Sequence, residues 1–238
     1  MALNGLTNRL LSGLTEIWSP QPCFVCGCGL VEGEKQICAA CLRKLPATGF
    51  QRYNANPVER RFWGRAKIEG GFAGFYYRKE QVLQRLIHSF KYHGNTEMAV
   101  VLGNVLGQMM LDNSDKFLAY DFLVPVPLHP YKLALRGYNQ SRLIADGISE
   151  VVGIPVNEDI LIRNRFSGTQ TKRHKYERWE GVENNFSACE DCERWTGARL
   201  LIVDDVLTTG ATIESCYQAL SAIPMVKIGV VTVGVAAS

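Results

Sequence analysis

Apolar and polar residues along the chain follow two different periods, and the change of period outlines strands and helices. Alternating or continuous apolar runs bounded by turn residues predict strands, and apolar residues spaced three and four apart predict helices. The predicted strands cover 66–78, 121–127, 199–203 and 226–235. The predicted helices cover 79–92, 97–111, 140–152 and 211–223. Short apolar strands that alternate with amphipathic helices favour an α/β fold with a largely parallel sheet.

The first twenty residues form a separate amphipathic segment. Leu6, Leu10 and Leu14 fall on one side of a predicted helix over 1–20, with Ile17 and Trp18. This face packs against the rest of the protein or contacts a membrane surface. The segment lacks the basic start and unbroken apolar core of a signal peptide, and no apolar run approaches the ~20 residues that span a bilayer.

Four cysteines follow in the pattern C-x2-C-x11-C-x2-C. Cys23, Cys26, Cys38 and Cys41 can direct four thiolates at one centre, which is the ligand set of structural zinc. The alternatives are free thiols, or a ligand set in which Cys28 replaces Cys26. The pattern predicts a small zinc-binding module over 21–50 and a larger domain over 51–238.

Eight cysteines without a secretory signal favour the reducing cytoplasm, where metal binding is a more natural use of thiols than disulfides. Cys189 and Cys192 form another C-x2-C pair, in an acidic stretch. With no second pair nearby, we interpret them as part of a loop.

The stretch LLIVDDVLTTGAT at 200–212 concentrates the candidate chemistry. Its apolar start predicts a central strand over 200–203, with Asp204 and Asp205 at the strand end and a loop that opens a helix. In a parallel sheet, ligands bind beyond the carboxyl ends of the strands. Free amides at a helix start, with Gly210 allowing close approach, form an anion site, and paired acids suit the two hydroxyls of a ribose. The alternative is a plain strand, turn and helix with exposed acids.

Positive charge is unevenly distributed although the net charge is only +3. Residues 51–91 contain nine Lys/Arg and three acids, and residues 163–178 contain six Lys/Arg and one acid. One such cluster is compatible with a solvated face. Two clusters in one chain favour a polyanionic ligand, either phosphates or nucleic acid.

The order Asp-Asp-x-x-Thr-Thr-Gly-x-Thr after a buried strand resembles the signature of type I phosphoribosyltransferases, which bind 5-phosphoribosyl-1-pyrophosphate (PRPP). The resemblance implies that the acids hold ribose hydroxyls and that the loop holds the 5′-phosphate. The implied PRPP-binding residues are Asp204, Asp205, Val206, Leu207, Thr208, Thr209, Gly210, Ala211 and Thr212. It also implies Mg²⁺ bound together with PRPP.

Four further features resemble the ComF/GntX-like (competence protein F) family: the leading cysteines and the stretches at 90–94, 124–145 and 163–186. By this resemblance, the loop after VPVP is implied to bind the pyrophosphate side of PRPP. Its candidates are Arg136, Gly137, Asn139, Lys132 and, at the end of a helix, Lys91. Residues 163–180 resemble a lid that brings cations over a polyphosphate, although they could equally follow a nucleic-acid backbone. The lid candidates are Arg163, Arg165, Gln170, Lys172, Arg173 and Arg178.

The resemblance implies a cytoplasmic protein of DNA uptake (competence) or DNA utilisation. Single-stranded DNA is the expected ligand, and a DNA-uptake helicase or channel protein is a candidate partner. Aromatics beside the basic segments, among them Tyr53, Phe62 and Trp63, either stack on bases or fill cores. The alternative function is a catalytic phosphoribosyltransferase acting on an unidentified base or amine, but the sequence shows no base-recognition pocket.

Overall fold

A computed structural model of the chain describes residues 21–79, 81–164 and 186–236, and the predicted helix over 1–20 lies outside these residues. The chain divides into two compact units, 1–45 and 46–238. This division falls five residues before the boundary that the sequence predicts. Residues 46–48 instead pair with the first strand of the larger unit, since Thr48 N donates to Gly74 O over 3.0 Å and Pro46 O accepts from Tyr76 N over 2.8 Å.

The smaller unit is a cysteine-lined loop that ends in a short helix. Pro22 and Gly29 form an isolated antiparallel bridge, and helix α1 spans Ala39–Arg43. The Glu34 carboxylate accepts from the Ala39 amide over 2.7 Å, which satisfies one free donor at the start of this helix.

The larger unit contains a parallel sheet with flanking helices, which confirms the predicted fold class. Its strands are β1 Gly70–Tyr77, β2 Phe122–Pro125, β3 Leu161–Arg163, β4 Phe186–Ala188, β5 Arg199–Leu207 and β6 Lys227–Ala236. Its helices are α2 Pro57–Arg60, α3 Val82–Tyr92, α4 Thr96–Leu111, α5 Ser114–Phe117, α6 Pro130–Arg136, α7 Gln140–Val152 and α8 Ala211–Leu220. Short 3-10 turns span Phe50–Arg52 and Cys192–Trp195.

Four strands pair in parallel in the order β1-β6-β5-β2, and β3 and β4 form a separate antiparallel pair. Strands β5 and β6 lie at the centre and are buried on both faces, as parallel strands covered by helices are. No helix within the described residues is both long and apolar enough to cross a bilayer.

Strand β5 continues further than the apolar run 200–203 predicts. Its pairing with β6 runs on through Asp204–Thr232 and Val206–Gly234 to Leu207. The two acids therefore lie inside the strand rather than at its end, and Val206 and Leu207 belong to the strand rather than to the loop, because backbone pairing with a neighbouring strand outweighs low strand propensity.

Two glycines set the position of helix α7, whose first turn contacts strand β5. Helices α4 and α7 cross at Gly103 and Gly147, and a Cβ built on Gly147 would lie 2.2 Å from Val100 O. Only residues without a side chain permit this approach. The crossing places the first turn of α7 against the carboxyl half of β5.

Candidate functional site

A chain of polar contacts joins three elements at the carboxyl end of β5. Lys91, in the last turn of α3, lies 2.6 Å from Asp205 Oδ1, and Gln140 Nε2 donates to Asp205 Oδ2 over 3.0 Å. Arg136 Nη1 donates in turn to Gln140 Oε1. The sequence named Lys91, Arg136 and Asp205 separately. In the structure Lys91 contacts Asp205 directly, and Gln140, which the sequence did not name, links Arg136 to Asp205.

Asp204 occupies a different environment from its neighbour. Its Oδ1 accepts from Ser141 Oγ over 3.0 Å and from the Asp205 amide over 2.9 Å. Burial and the adjacent Asp205 carboxylate raise the pKa of Asp204 to about 7, since the low-dielectric surroundings and a like charge both disfavour ionisation. Asp204 therefore exchanges its proton near neutral pH.

The loop after β5 has the geometry of an anion site. Gly210 has φ 91°, which a residue with a side chain adopts only with strain, and α8 begins at the next residue. Thr208 and Thr209 are exposed, and the amides of the first turn of α8 have no carbonyl within the helix to bind. Free amides and the helix dipole together favour a phosphate here.

A segment that the sequence did not assign to this loop packs directly on it. The ring of Phe62 lies 3.0 Å from the position that a Cβ on Gly210 would occupy, and Arg61 Nη1 donates to Thr208 O. Arg65 forms an ion pair with Glu214 over 3.1 Å. The loop contains no lysine, but Arg61 and Arg65 place two cations beside it.

The loop after β2 forms the other wall of the crevice. Helix α6 ends at Arg136 and is capped by Gly137, which has φ 84°. The Asn139 side chain accepts from the Ser141 amide and donates to Val126 O, both over 3.1 Å, so it ties the start of α7 to the end of β2. Lys132, on α6, is exposed and makes none of the contacts of the Asp205 chain.

Arg163 is the one lid candidate within the described residues. Its Nη1 donates to Pro127 O over 3.3 Å, and its guanidinium lies 5.0 Å from the centre of the Phe186 ring. Burial lowers the pKa of Arg163, while the charge of Asp204 opposes this shift. The other candidates, Arg165, Gln170, Lys172, Arg173 and Arg178, lie outside the described residues.

The smaller unit gathers five cysteines. The sulfurs of Cys23, Cys26, Cys28 and Cys38 all lie within 4.8 Å of one another, so this cluster could hold a metal ion. Cys41 belongs to the same group, because its thiol hydrogen-bonds the sulfurs of Cys26, Cys38 and Cys23; these bonds favour the protonated form and, with desolvation, raise the pKa of Cys41 to about 12. Cys28, which the sequence offered only as a substitute for Cys26, here lies beside it.

The donor set fits zinc. The Cys26 and Cys38 sulfurs are 3.8 Å apart, which matches the edge of about 3.8 Å in a tetrahedron with Zn–S bonds of about 2.3 Å. The Cys26 and Cys28 sulfurs are closer, at 3.3 Å. Three of the four predicted ligands and Cys28 form the closest group, so both Cys28 and Cys41 are candidates for the fourth position.

No family model matches the chain, but individual proteins do. The chain is 26% identical to Competence protein F of Haemophilus influenzae over 216 residues, which is 90% of this chain and 84% of that protein. It is 27% identical to the DNA utilization protein YhgH of Escherichia coli K12 over 219 residues, covering 84% of this chain and 91% of YhgH. It is also 27% identical to Competence protein ComFC of Streptococcus pneumoniae over 140 residues, 59% of this chain and 57% of ComFC.

Solved structures of phosphoribosyltransferases overlap part of the chain. Glutamine PRPP amidotransferase from B. subtilis has a TM-score of 0.39 at 23% identity and covers 60% of this chain, which spans only 30% of that enzyme. Adenine phosphoribosyltransferase from Leishmania tarentolae has a TM-score of 0.38 at 13% identity, covering 67% of this chain and 90% of the enzyme. TM-scores below 0.5 are too low to support an inference about function. The sequence relatives are stronger evidence: this chain is a homologue of the competence protein F, ComFC and YhgH proteins.

Proposed function

We propose that the chain binds a PRPP-type ligand in the crevice at the carboxyl ends of β2 and β5, and that it acts in DNA uptake or DNA utilisation. One observation carries the ligand assignment. Strand β5 brings Asp204 and Asp205 to the same edge of the sheet as the amide-lined loop at 208–212. Lys91 contacts Asp205 directly, and Arg136 reaches Asp205 through Gln140.

The groups suit the parts of the ligand one by one. Amides at the start of α8 bind the 5′-phosphate, as helix starts bind anions generally. Carboxylate oxygens accept hydrogen bonds from the ribose hydroxyls, and Asp205 retains free lone pairs because each carboxylate offers about four acceptor sites. Arg136 and Lys91 favour the pyrophosphate by charge.

Magnesium would be held by the phosphate oxygens of the ligand and by water, as is usual when a cation binds with a polyphosphate. When bound, it would offset the negative charge that the pyrophosphate brings near the two acids. The chain's own contribution is to orient the ribose against Asp204 and Asp205 and to supply cations from α3 and α6.

The DNA role rests on the relatives' names and on the chain's basic segments. Relatives named for competence and for DNA utilisation cover most of this chain. We propose single-stranded DNA as a second ligand, a DNA-uptake helicase or channel protein as a partner, and the cytoplasm as the compartment, since a thiolate metal site requires reduced cysteines. Zinc is the proposed metal of the smaller unit.

A catalytic phosphoribosyltransferase is the second candidate, and the environment of Asp204 favours it. A carboxyl group with a pKa of about 7 can accept a proton at neutral pH, as a general base does. Its incoming nucleophile would be a base or amine nitrogen that displaces pyrophosphate from the ribose. Release of pyrophosphate from PRPP in the presence of a panel of bases would establish this activity.

Thermal unfolding with PRPP and Mg²⁺ tests the proposed ligand. A ligand at 100 times its Kd stabilises by about 2.7 kcal/mol, which raises the Tm of a domain this size by roughly 5–11 °C. We expect this rise in the wild type and in Asp146→Asn, which removes a charge from the half-buried ion pair with Arg142 on α7. We expect none in Asp204→Asn. An equal rise in all three proteins would refute the assignment of the site.

A further inference from the structure

A groove that none of the assignments above uses runs along helix α8. Residues 63–68 form one wall and Tyr217 the other, enclosing about 510 Å³. A second cavity of about 170 Å³ continues it toward Met225 and Lys227, and Lys67 and Tyr217 line both. The groove therefore extends from Tyr217, in the second half of α8, past the end of this helix.

The wall formed by 63–68 is anchored at both ends. At one end the buried Phe62 packs against Gly210, and its carbonyl accepts from the Arg65 and Ala66 amides, both over 2.9 Å. At the other end Glu69 N donates to Ile228 O over 2.9 Å. A wall held in this way gives a preformed groove, which keeps the ordering cost of binding low.

The groove combines an exposed aromatic ring with excess positive charge. The Trp63 side chain is 64% exposed, unlike the adjacent Phe62, and the Arg60 guanidinium lies 5.8 Å from its ring centre. Three cations line the groove, Arg65, Lys67 and Lys227, and Arg60 lies beside it over Trp63. Two acids lie with them: Glu214, which pairs with Arg65 over 3.1 Å, and Glu69, which lies 3.9 Å from Lys227.

Lys67 has no ion-pair partner among the described residues. An unpaired exposed lysine beside a large exposed indole is not explained by packing, because burying the indole would be favourable. Both groups are instead available to a ligand that presents flat rings and negative charges together.

We propose that this groove binds single-stranded DNA, with a base stacked on Trp63 and backbone phosphates beside Lys67 and Lys227. This proposal rests on the proposed role in DNA handling and identifies the surface that would bind the DNA. Unpaired bases offer the flat faces that a duplex hides, and aromatic side chains with cations along a groove are how proteins bind single strands without reading sequence. An acidic peptide would satisfy the cations but leave the indole exposed.

Fluorescence anisotropy of a labelled oligothymidylate tests the groove. We expect Trp63→Ala to weaken binding about tenfold and Trp63→Phe to retain most of it, because stacking needs only an aromatic face. We expect Lys67→Gln to reduce the slope of log K against log salt by about 0.7, the value for one phosphate contact on a single strand. The control is Lys79→Gln, an exposed lysine beyond the opposite end of β1, which should leave the slope unchanged.

The outcomes separate this proposal from the one on which it rests. Wild-type binding that is unchanged in Trp63→Ala and Lys67→Gln would overturn the groove and leave DNA binding to another surface. Absence of binding by the wild type at low salt would overturn single-stranded DNA as a ligand altogether. Equal affinity for a duplex would overturn the stacking on Trp63. A cooperative thermal transition without ligand, at a Tm close to that of the wild type, shows that each variant is folded whether or not PRPP binds.

Discussion

Replacing Lys91 with methionine isolates the ion pair at the heart of the proposed site. The Lys91 ammonium lies 2.6 Å from an Asp205 carboxylate whose side chain is only 8% exposed. Methionine keeps most of the apolar length of lysine and removes the charge. Gln140 then remains as the other described side chain that hydrogen-bonds Asp205.

The expected cost follows from the burial of the pair. Removing one partner of a buried ion pair costs about 3–5 kcal/mol, because the remaining charge is left without compensation. The Lys91 side chain is 21% exposed, so water reaches the pair and reduces this cost. We therefore expect Lys91→Met to lower the free energy of unfolding by about 2–4 kcal/mol.

Urea unfolding followed by circular dichroism measures this change at constant m-value. Arg52→Gln is the matched control, since Arg52 pairs with Asp112 over 3.4 Å with side chains 71% and 42% exposed, and it should cost less than about 1 kcal/mol. The double variant Lys91→Met/Asp205→Asn should recover part of the loss, because it removes both charges. A cost for Lys91→Met as small as that of the control would refute the reasoning.

Three other predictions concern pH, packing and metal. The folded state raises the pKa of Asp204, so ionisation of this group destabilises the fold. The free energy of unfolding should therefore fall as pH rises from about 4 to about 7, by up to about 4 kcal/mol. Asp204→Asn should remove this fall in urea titrations across that range. A wild-type stability that rises over this range and an unchanged slope in the variant would contradict it. Gly147→Ala should lower the free energy of unfolding by at least about 1–3 kcal/mol, because the new Cβ meets Val100 O. Ser149→Ala, on the same helix, should change it little. Equal Tm values for the two variants would show that the helices do not cross so closely. The purified chain should contain one zinc ion by elemental analysis, and loss of zinc from Cys28→Ser but not from Cys41→Ser would assign Cys28 as the fourth ligand, with the reverse result assigning Cys41.

The sequence predicted the parallel sheet because short apolar strands alternate with amphipathic helices along the chain. The predicted end of strand β5 was wrong. Apolar character ends at Val203, but pairing with β6 carries strand β5 on to Leu207. Backbone pairing depends on the partner strand, which the local pattern does not contain.

The candidate site divides in the same way. Motif residues such as Asp204 and Asp205 are visible in the sequence because their spacing is local. Gln140 and Ser141 look like ordinary residues at a helix start, and Gln140 reaches Asp205 from 65 positions away. Only the crossing of α4 and α7 brings them to the acids.

The sequence also could not predict which aromatic residues are exposed or which cysteines lie closest together. The sequence grouped Phe62 and Trp63 as candidates for base stacking, but the structure buries the first against Gly210 and exposes the second. The C-x2-C pattern favoured Cys41, while the turn at Gly27, which has φ 74°, brings Cys28 to the other thiols. The short Cys26-x-Cys28 spacing was the signal in the sequence for this fifth thiol.

Calorimetric titration of PRPP, ribose 5-phosphate and pyrophosphate, each with Mg²⁺, tests the central claim most directly. If one crevice holds both ends of the ligand, each chain should bind one PRPP, and ribose 5-phosphate and pyrophosphate should each bind more weakly than PRPP. Asp204→Asn should abolish the heat of ribose 5-phosphate binding. Each fragment should also weaken the apparent affinity for PRPP. Absence of PRPP binding by the folded, zinc-loaded protein, or PRPP affinity unchanged by either fragment, would contradict the account.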